Sequence, residues 1–295
     1  MVDDALRLDA QDMNPHITAR WRRTVRRLFD RIPAVVGIAV ILMFVGLALA
    51  APLLSPYDPL ATNWLLVRKA PSIAHWFGTD EIGRDILSRI IWGTRASLLA
   101  GVLSVCIAMA IGIPLGLVSG YYRGIADGAV MRLTDAWLSF PFLILAVGLT
   151  SILGASLVNA TIAIGLGVTP GFIRLTRGQV LGLREEEYVQ SAKAIGAGDV
   201  RILMRHILPN LTSVLLVQVT IAIPRAIISE SVLSFLGLGA QPPQPSWGSM
   251  LNSAQAFLDQ APWMAWFPGL CIFAIALAFN LAGDGLRDAL DPKEY

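Results

Sequence analysis

Few residues in this chain of 295 are placed to do covalent or metal chemistry. His16, His75 and His206 have no partners at ligand spacing, so a zinc site is unsupported. Cys106 and Cys271 lie far apart inside apolar runs and read as small buried hydrophobes, not as a disulfide or metal pair. No H-E-x-x-H segment and no paired carboxylates occur inside the apolar runs, which speaks against membrane-embedded hydrolysis. A G-x-x-x-x-G-K-[ST] phosphate loop is also missing, so any ATP-driven step needs a separate ATPase. Two charges stand out, Arg225 and Glu230, near the outer half of an apolar run. They are five positions apart and so do not share a helix face. Intramembrane charges usually point inward, and this pair could line a polar passage or anchor the helix end.

The elements that hold these residues follow from composition. The chain is 55% hydrophobic and 15% charged, with mean hydropathy +0.62. Soluble domains carry about 25% charged residues, so this chain cannot cover itself in water and reads as a polytopic membrane protein. A formal charge of +2 and the lack of a basic patch interleaved with aromatics exclude nucleic acid as a partner. Six runs approach the roughly 20 apolar residues a spanning helix needs: 33–54, 96–119, 136–154, 155–173, 211–229 and 264–282. The third and fourth abut at Gly154-Ala155-Ser156, which predicts a helical hairpin with a tight turn. Ala48-Leu49-Ala50 imitates a signal-peptide cleavage site, but the first run is too long for one and is read as a retained span.

Seventeen of the 23 Lys and Arg fall in the N-terminal tail, residues 120–135, residues 174–206 and the C-terminal tail. The positive-inside bias then places both termini and the 174–206 loop in the cytoplasm. The expected organisation is a cytoplasmic tail over 1–31 and a first transmembrane helix over 32–54. A periplasmic segment with an interfacial helix follows over 55–95, then a five-helix transmembrane domain over 95–284 and a cytoplasmic tail over 285–295. The fold class is all-α with six transmembrane helices. Gly112, Gly116 and Gly120 form a small-xxx-small face for close helix packing. Pro141, Pro170, Pro224 and Pro268 predict kinks that only protein or a wet cavity tolerates.

The 174–206 loop is too long for a mere connection and too regular for disorder. Val189, Ala192 and Ile195 repeat on one helical face, with Glu187, Gln190 and Lys193 turned away. Gly196-Ala197-Gly198 stops that helix and Asp199 is placed to cap a second. The second puts Val200, Leu203, Met204 and Ile207 on one face and ends at Leu208-Pro209-Asn210. Two amphipathic helices tethered at both ends make a compact knob over 185–209. By physics alone it either lies on lipid headgroups or inserts into a groove of a cytoplasmic partner. At the other end, Thr79 or Asp80 can cap an interfacial helix with apolar face Ile86, Leu87, Ile90 and Ile91, its arginines Arg84, Arg89 and Arg95 facing headgroups or protein.

The knob resembles the EAA motif of binding-protein-dependent ABC importer permeases, in which Glu-Ala-Ala is followed by a glycine and later by Ile-x-Leu-Pro. The corresponding residues here are Gln190-Ser191-Ala192, Gly196 and Ile207-Leu208-Pro209, with Gln190 replacing the acid and Ser191 the first alanine. Three further stretches resemble the C-type permease subunit of dipeptide and oligopeptide importers. They are the segment from His75-Trp76-Phe77-Gly78-Thr79-Asp80 through Ser97-Leu98, Ser234-Phe235-Leu236-Gly237-Leu238-Gly239 with Pro242-Pro243, and Asn280 through Pro292.

The resemblance implies a type I ABC importer permease fold and no enzymatic activity. It implies no cofactor on this chain, ATP and Mg being held by two cytoplasmic ABC ATPase subunits. Further implied partners are a second homologous permease, membrane lipid, and a periplasmic or lipid-anchored solute-binding protein. Di- or oligopeptides would cross the bacterial inner membrane by alternating access. The implied ATPase-docking residues are Glu187, Gln190, Ser191, Ala192, Ile195, Gly196, Ala197, Leu203, Ile207, Leu208 and Pro209, with Arg225 and Glu230 candidates for the path. A self-powered transporter would want acidic or His relays deep in several spans or two similar halves, and neither is present in the sequence.

Overall fold

A computed structural model describes residues 28–290, and these are helical with no regular strand. The expected tail over 1–31 therefore lies mostly outside the described residues, as do Lys293 and the rest of 291–295. The helices are α1 (Ile32–Leu49), α2 (Ala51–Leu54), α3 (Ile86–Tyr122), α4 (Gly124–Leu138), α5 (Phe142–Leu153), α6 (Leu157–Leu183), α7 (Glu187–Ala194), α8 (Asp199–Phe235), α9 (Trp247–Ala254) and α10 (Trp263–Leu290). Among the described residues, α1, α3, α6, α8 and α10 are long and apolar enough to cross a bilayer.

The centre is α3 packed in parallel against α6. Gly112, Gly116 and Gly120 face this neighbour, as the four-residue spacing predicts. A Cβ built at each would lie 2.6, 2.6 and 2.7 Å from the Cβ of Phe172, Thr176 and Val180 respectively. Backbones this close exchange dispersion along their whole contact, which in lipid is a principal source of helix association. Helix α8 runs antiparallel to α3, with Gly101 against Ile227 and Ser97 against Glu230. The shared core of α3, α6 and α8 includes Val105, Ile164, Phe172, Ile207, Leu211 and Leu233. Outside it, α1 lies against α10, where Gly37 meets the backbone of Ala278 and Arg31 pairs with Asp288.

Several expectations are corrected. The third apolar run is not one helix. Helices α4 and α5 meet at 89°, and α5 alone, at 12 residues, spans only about 18 Å. Pro141 opens α5 and disfavours helical backbone at Phe140, while Arg174 and Arg177 of α6 hold α4 through Asp135 and Asp127. Among the described residues there are thus five candidate spans, or six if the bent pair counts as one. No separate interfacial helix precedes the second span, because α3 runs unbroken from Ile86 to Tyr122. Its cap is Asp85, which accepts from the Ser88 amide at 2.8 Å, and not Thr79 or Asp80. Helix α10 continues to Leu290, so residues 285–290 extend the last span and begin no tail. Cys106 is exposed on α3 and is not a buried hydrophobe.

The hairpin turn is as expected. Gly154 takes φ +92°, Ser156 caps α6, and Asn159 donates to the carbonyls of Leu153 and Gly154.

Candidate functional site: an exposed helical knob and a groove

One end of the bundle gathers the C-termini of α3 and α6, helix α7 and the start of α8. Helix α7 lies against the base through Val189 and Ala192, both buried. Gly196, at φ +84°, then reverses the chain in a conformation that L side chains adopt only with strain. Helix α8 begins after Gly198, which is its cap in place of Asp199. The Asp199 carboxylate instead accepts from the Tyr121 hydroxyl at 2.9 Å and ties the knob to the end of α3. Residues Ile202–Ile207 form a π-helical turn, with the Leu208 amide reaching back to the Leu203 carbonyl. The wider turn accommodates Pro209, which has no N–H to give, so the helix passes through Leu208-Pro209-Asn210 and does not end there.

This geometry re-sorts the knob's faces. Buried are Ala192, Ile202, Leu203 and Ile207; half-buried are Ala197 and Leu208; exposed are Glu187, Gln190, Ser191, Gly196 and Pro209. The apolar face expected from α-helical spacing is split. Ile195 is 85% exposed, Val200 73% and Met204 58%, so three large apolar side chains stand at the tip with nothing covering them. Ile195 follows the last turn of α7 as its C-cap, and the π turn over 202–207 shifts the phase around Met204. Gln190 has a role the spacing does not show: its Nε2 donates to the Arg184 carbonyl at 2.8 Å, at the C-terminus of α6, a bond no carboxylate can supply.

The opposite end is a buried ionic cluster. Arg84 donates to Asp80 and Glu81 at 2.6 Å each, Arg89 lies 3.5 Å from Asp80, and His75 contacts Asp85 at 2.8 Å. Arg84 and Arg89 thus face protein, whereas Arg95 rests over the Trp92 ring.

The structure separates Arg225 from Glu230. Glu230 is fully buried where α3, α8 and α9 meet, accepting from Ser97 at 2.9 Å and Ser234 at 2.6 Å. Ser97 also accepts from the Trp247 amide at 3.4 Å, which links α9 to this pair. Arg225 instead lines a groove of about 470 Å³ with Phe142, Gly167, Gly171, Gln218 and Ser229. The groove is walled by α6, α8 and the α4–α5 bend.

Comparison with known proteins agrees with this architecture. Residues 112–294 match the family model of the binding-protein-dependent transport system inner membrane component, and residues 19–71 match the N-terminal transmembrane domain of oligopeptide transport permease C. The chain is 47% identical to the glutathione transport system permease protein of Pectobacterium atrosepticum, over 92% of this chain and 91% of that one. It is 45% identical to the dipeptide transport system permease protein of Alkalihalophilus pseudofirmus, over 92% and 90%. Its fold resembles the inward-facing MetNI methionine ABC transporter with TM-score 0.56 at 20% identity, covering 70% of this chain and 97% of that chain. The chain belongs to the binding-protein-dependent transport system inner membrane components, as a multi-pass, non-enzymatic permease subunit whose relatives include dipeptide and glutathione transport permeases.

Proposed function

We propose that this subunit carries di- or oligopeptides, or glutathione, into the cell by alternating access, driven by separate ATPase subunits that grip the 185–209 knob. The observation that carries this reading is the exposure of three large apolar side chains, Ile195, Val200 and Met204, on the element that turns at Gly196. An element of this shape suits a groove in a folded partner. Glu185, Glu186 and Glu187 beside it would be repelled by anionic lipid. The knob is fused to α8 without a break, so a push on it moves that span as a rigid body.

In this reading both termini and the knob are cytoplasmic, consistent with the bias of Lys and Arg toward that end. A second permease completes the path, and a solute-binding protein docks at the end holding the Asp80–Arg84 cluster. ATP and Mg belong to the ATPases, and Glu187, Gln190, Ser191, Ile195 and Gly196 meet them directly. Ala192, Ala197, Leu203, Ile207 and Leu208 hold the knob's shape from within, and Pro209 lies exposed at its base.

The test is Gly196→Val in the reconstituted complex. The β-branched side chain cannot hold φ +84°, so uptake should fall sharply while the permease still inserts and ATP hydrolysis persists. Normal uptake at normal abundance would refute the docking role.

A further inference from the structure

Arg225 has no hydrogen-bond or ionic partner for its guanidinium among the described residues. Its depth makes this notable. Helix α8 pairs antiparallel with α3, Gly101 lying against Ile227, so Arg225 is level with about residue 103 of α3. That is about 12 Å inside Arg95, the last charge on α3 before the far end. A guanidinium at such depth without a counter-charge is expensive, and Arg225, exposed in the single chain, stands on the open side of the groove where a partner from outside the subunit can reach it.

The groove around it has the form of a ligand site. Gln218 lies two turns before Arg225 on α8 and Ser229 one turn after it, so one polar stripe runs along a single helix face. The facing wall is kept open by glycine. A Cβ at Gly167 would come 2.5 Å from the Phe142 ring, and at Gly171 the nearest neighbour is Gln218 at 3.9 Å. The result is a trough with apolar sides, one cation, and amide and hydroxyl groups on either side of it.

We propose that Arg225 binds the free carboxylate of the solute in transit, with Gln218 and Ser229 meeting its peptide groups. This inference rests on the peptide-class reading above and assigns a substrate group to one residue of the path. A planar guanidinium accepts a carboxylate bidentately, and removal of water from the trough strengthens the pair. The trough's volume suits a short peptide, and its single positive charge selects for an anionic end.

The experiment uses the complete complex, with both permeases and both ATPases, in nanodiscs and without the binding protein, so that loading specificity drops out. A tritiated dipeptide shown to be transported by the same complex is bound at equilibrium. It is then displaced by the unlabelled free acid or by its C-terminal amide, in discs with and without anionic lipid. In the native complex the acid should compete about tenfold better than the amide, or more. Arg225→Lys should keep most of that preference and Arg225→Gln should erase it, in both lipid compositions.

Equal competition by acid and amide in the native complex would overturn the proposal, since it would mean that lipid phosphate or a residue of the second permease answers the charge. A preference that survives Arg225→Gln would overturn it too, as would transport of a dipeptide that the complex does not bind. Failure of the intact complex, with its binding protein, to take up any peptide would instead sink the functional reading itself.

Discussion

The close approach of α3 and α6 makes a quantitative demand on Gly116. A methyl group there would sit 2.6 Å from the Thr176 Cβ and 2.8 Å from the Ile173 carbonyl oxygen, about 1 Å inside ordinary van der Waals contact. Neither obstacle is a flexible side-chain end, so Gly116→Ala must push the helices apart. A gap of about 1 Å forfeits a quarter to a half of each contact's dispersion energy, and overpacking of this kind costs about 1–3 kcal/mol. Gly112→Ala and Gly120→Ala meet the same wall, at 2.6 and 2.7 Å. Because one displacement relieves all three, the triple variant should lose less than the sum of the singles. Gly178 and Gly182 of α6 have nothing within 4 Å, so alanine there should be neutral or slightly stabilising. The assay is thermal or denaturant unfolding of the purified subunit, read as rank order. If Gly116→Ala unfolds no earlier than Gly178→Ala, the packing argument is wrong.

Three further outcomes follow from named contacts. Gln190→Glu removes the donor to the Arg184 carbonyl and should cost about 1 kcal/mol locally, visible as faster amide exchange in α7; unchanged exchange would mean the bond carries nothing. Glu230→Ala strands the hydroxyls of Ser97 and Ser234 and should cost about 2–4 kcal/mol, with Ser97→Ala adding little on top; full additivity would show that the two do not share a network. Gly83, at φ +79° with the Asn63 carbonyl oxygen 1.9 Å from a built Cβ, should not tolerate alanine, and normal membrane abundance of Gly83→Ala would contradict that geometry.

Elements whose signal is local in the chain were legible before the structure. The glycine face at 112, 116 and 120 repeats every four residues, and the turn at 154–156 falls where two apolar runs touch. Pro141 marked a kink but not its size, because hydropathy is continuous across 136–154 and the ion pairs that hold α4 aside come from α6, far along the chain. The cap of α3 was misplaced for a similar reason: Thr79 and Asp80 are occupied by the loop, Thr79 donating to the Leu66 carbonyl and Asp80 receiving Arg84. In the knob, helical spacing found the two helices but put Ile195 with Val189 and Ala192, and Val200 and Met204 with Leu203 and Ile207; Ile195 falls just past the last turn of α7, and the π turn at 202–207 changes the phase around Met204. Sequence also offered Arg225 and Glu230 as a pair. Only packing shows that one lines a groove and the other is buried against Ser97 and Ser234.

The central claim is that the bare tip of the knob is where ATPase subunits take hold. Ile195→Cys and Val200→Cys, in a background without Cys106 and Cys271, can be probed with a short thiol crosslinker in membranes holding the assembled complex. Crosslinks to the ATPase from both positions, with none from Asn252→Cys at the opposite end, are the expected result. No ATPase adduct at 195 or 200, or an equal yield at 252, would contradict the account.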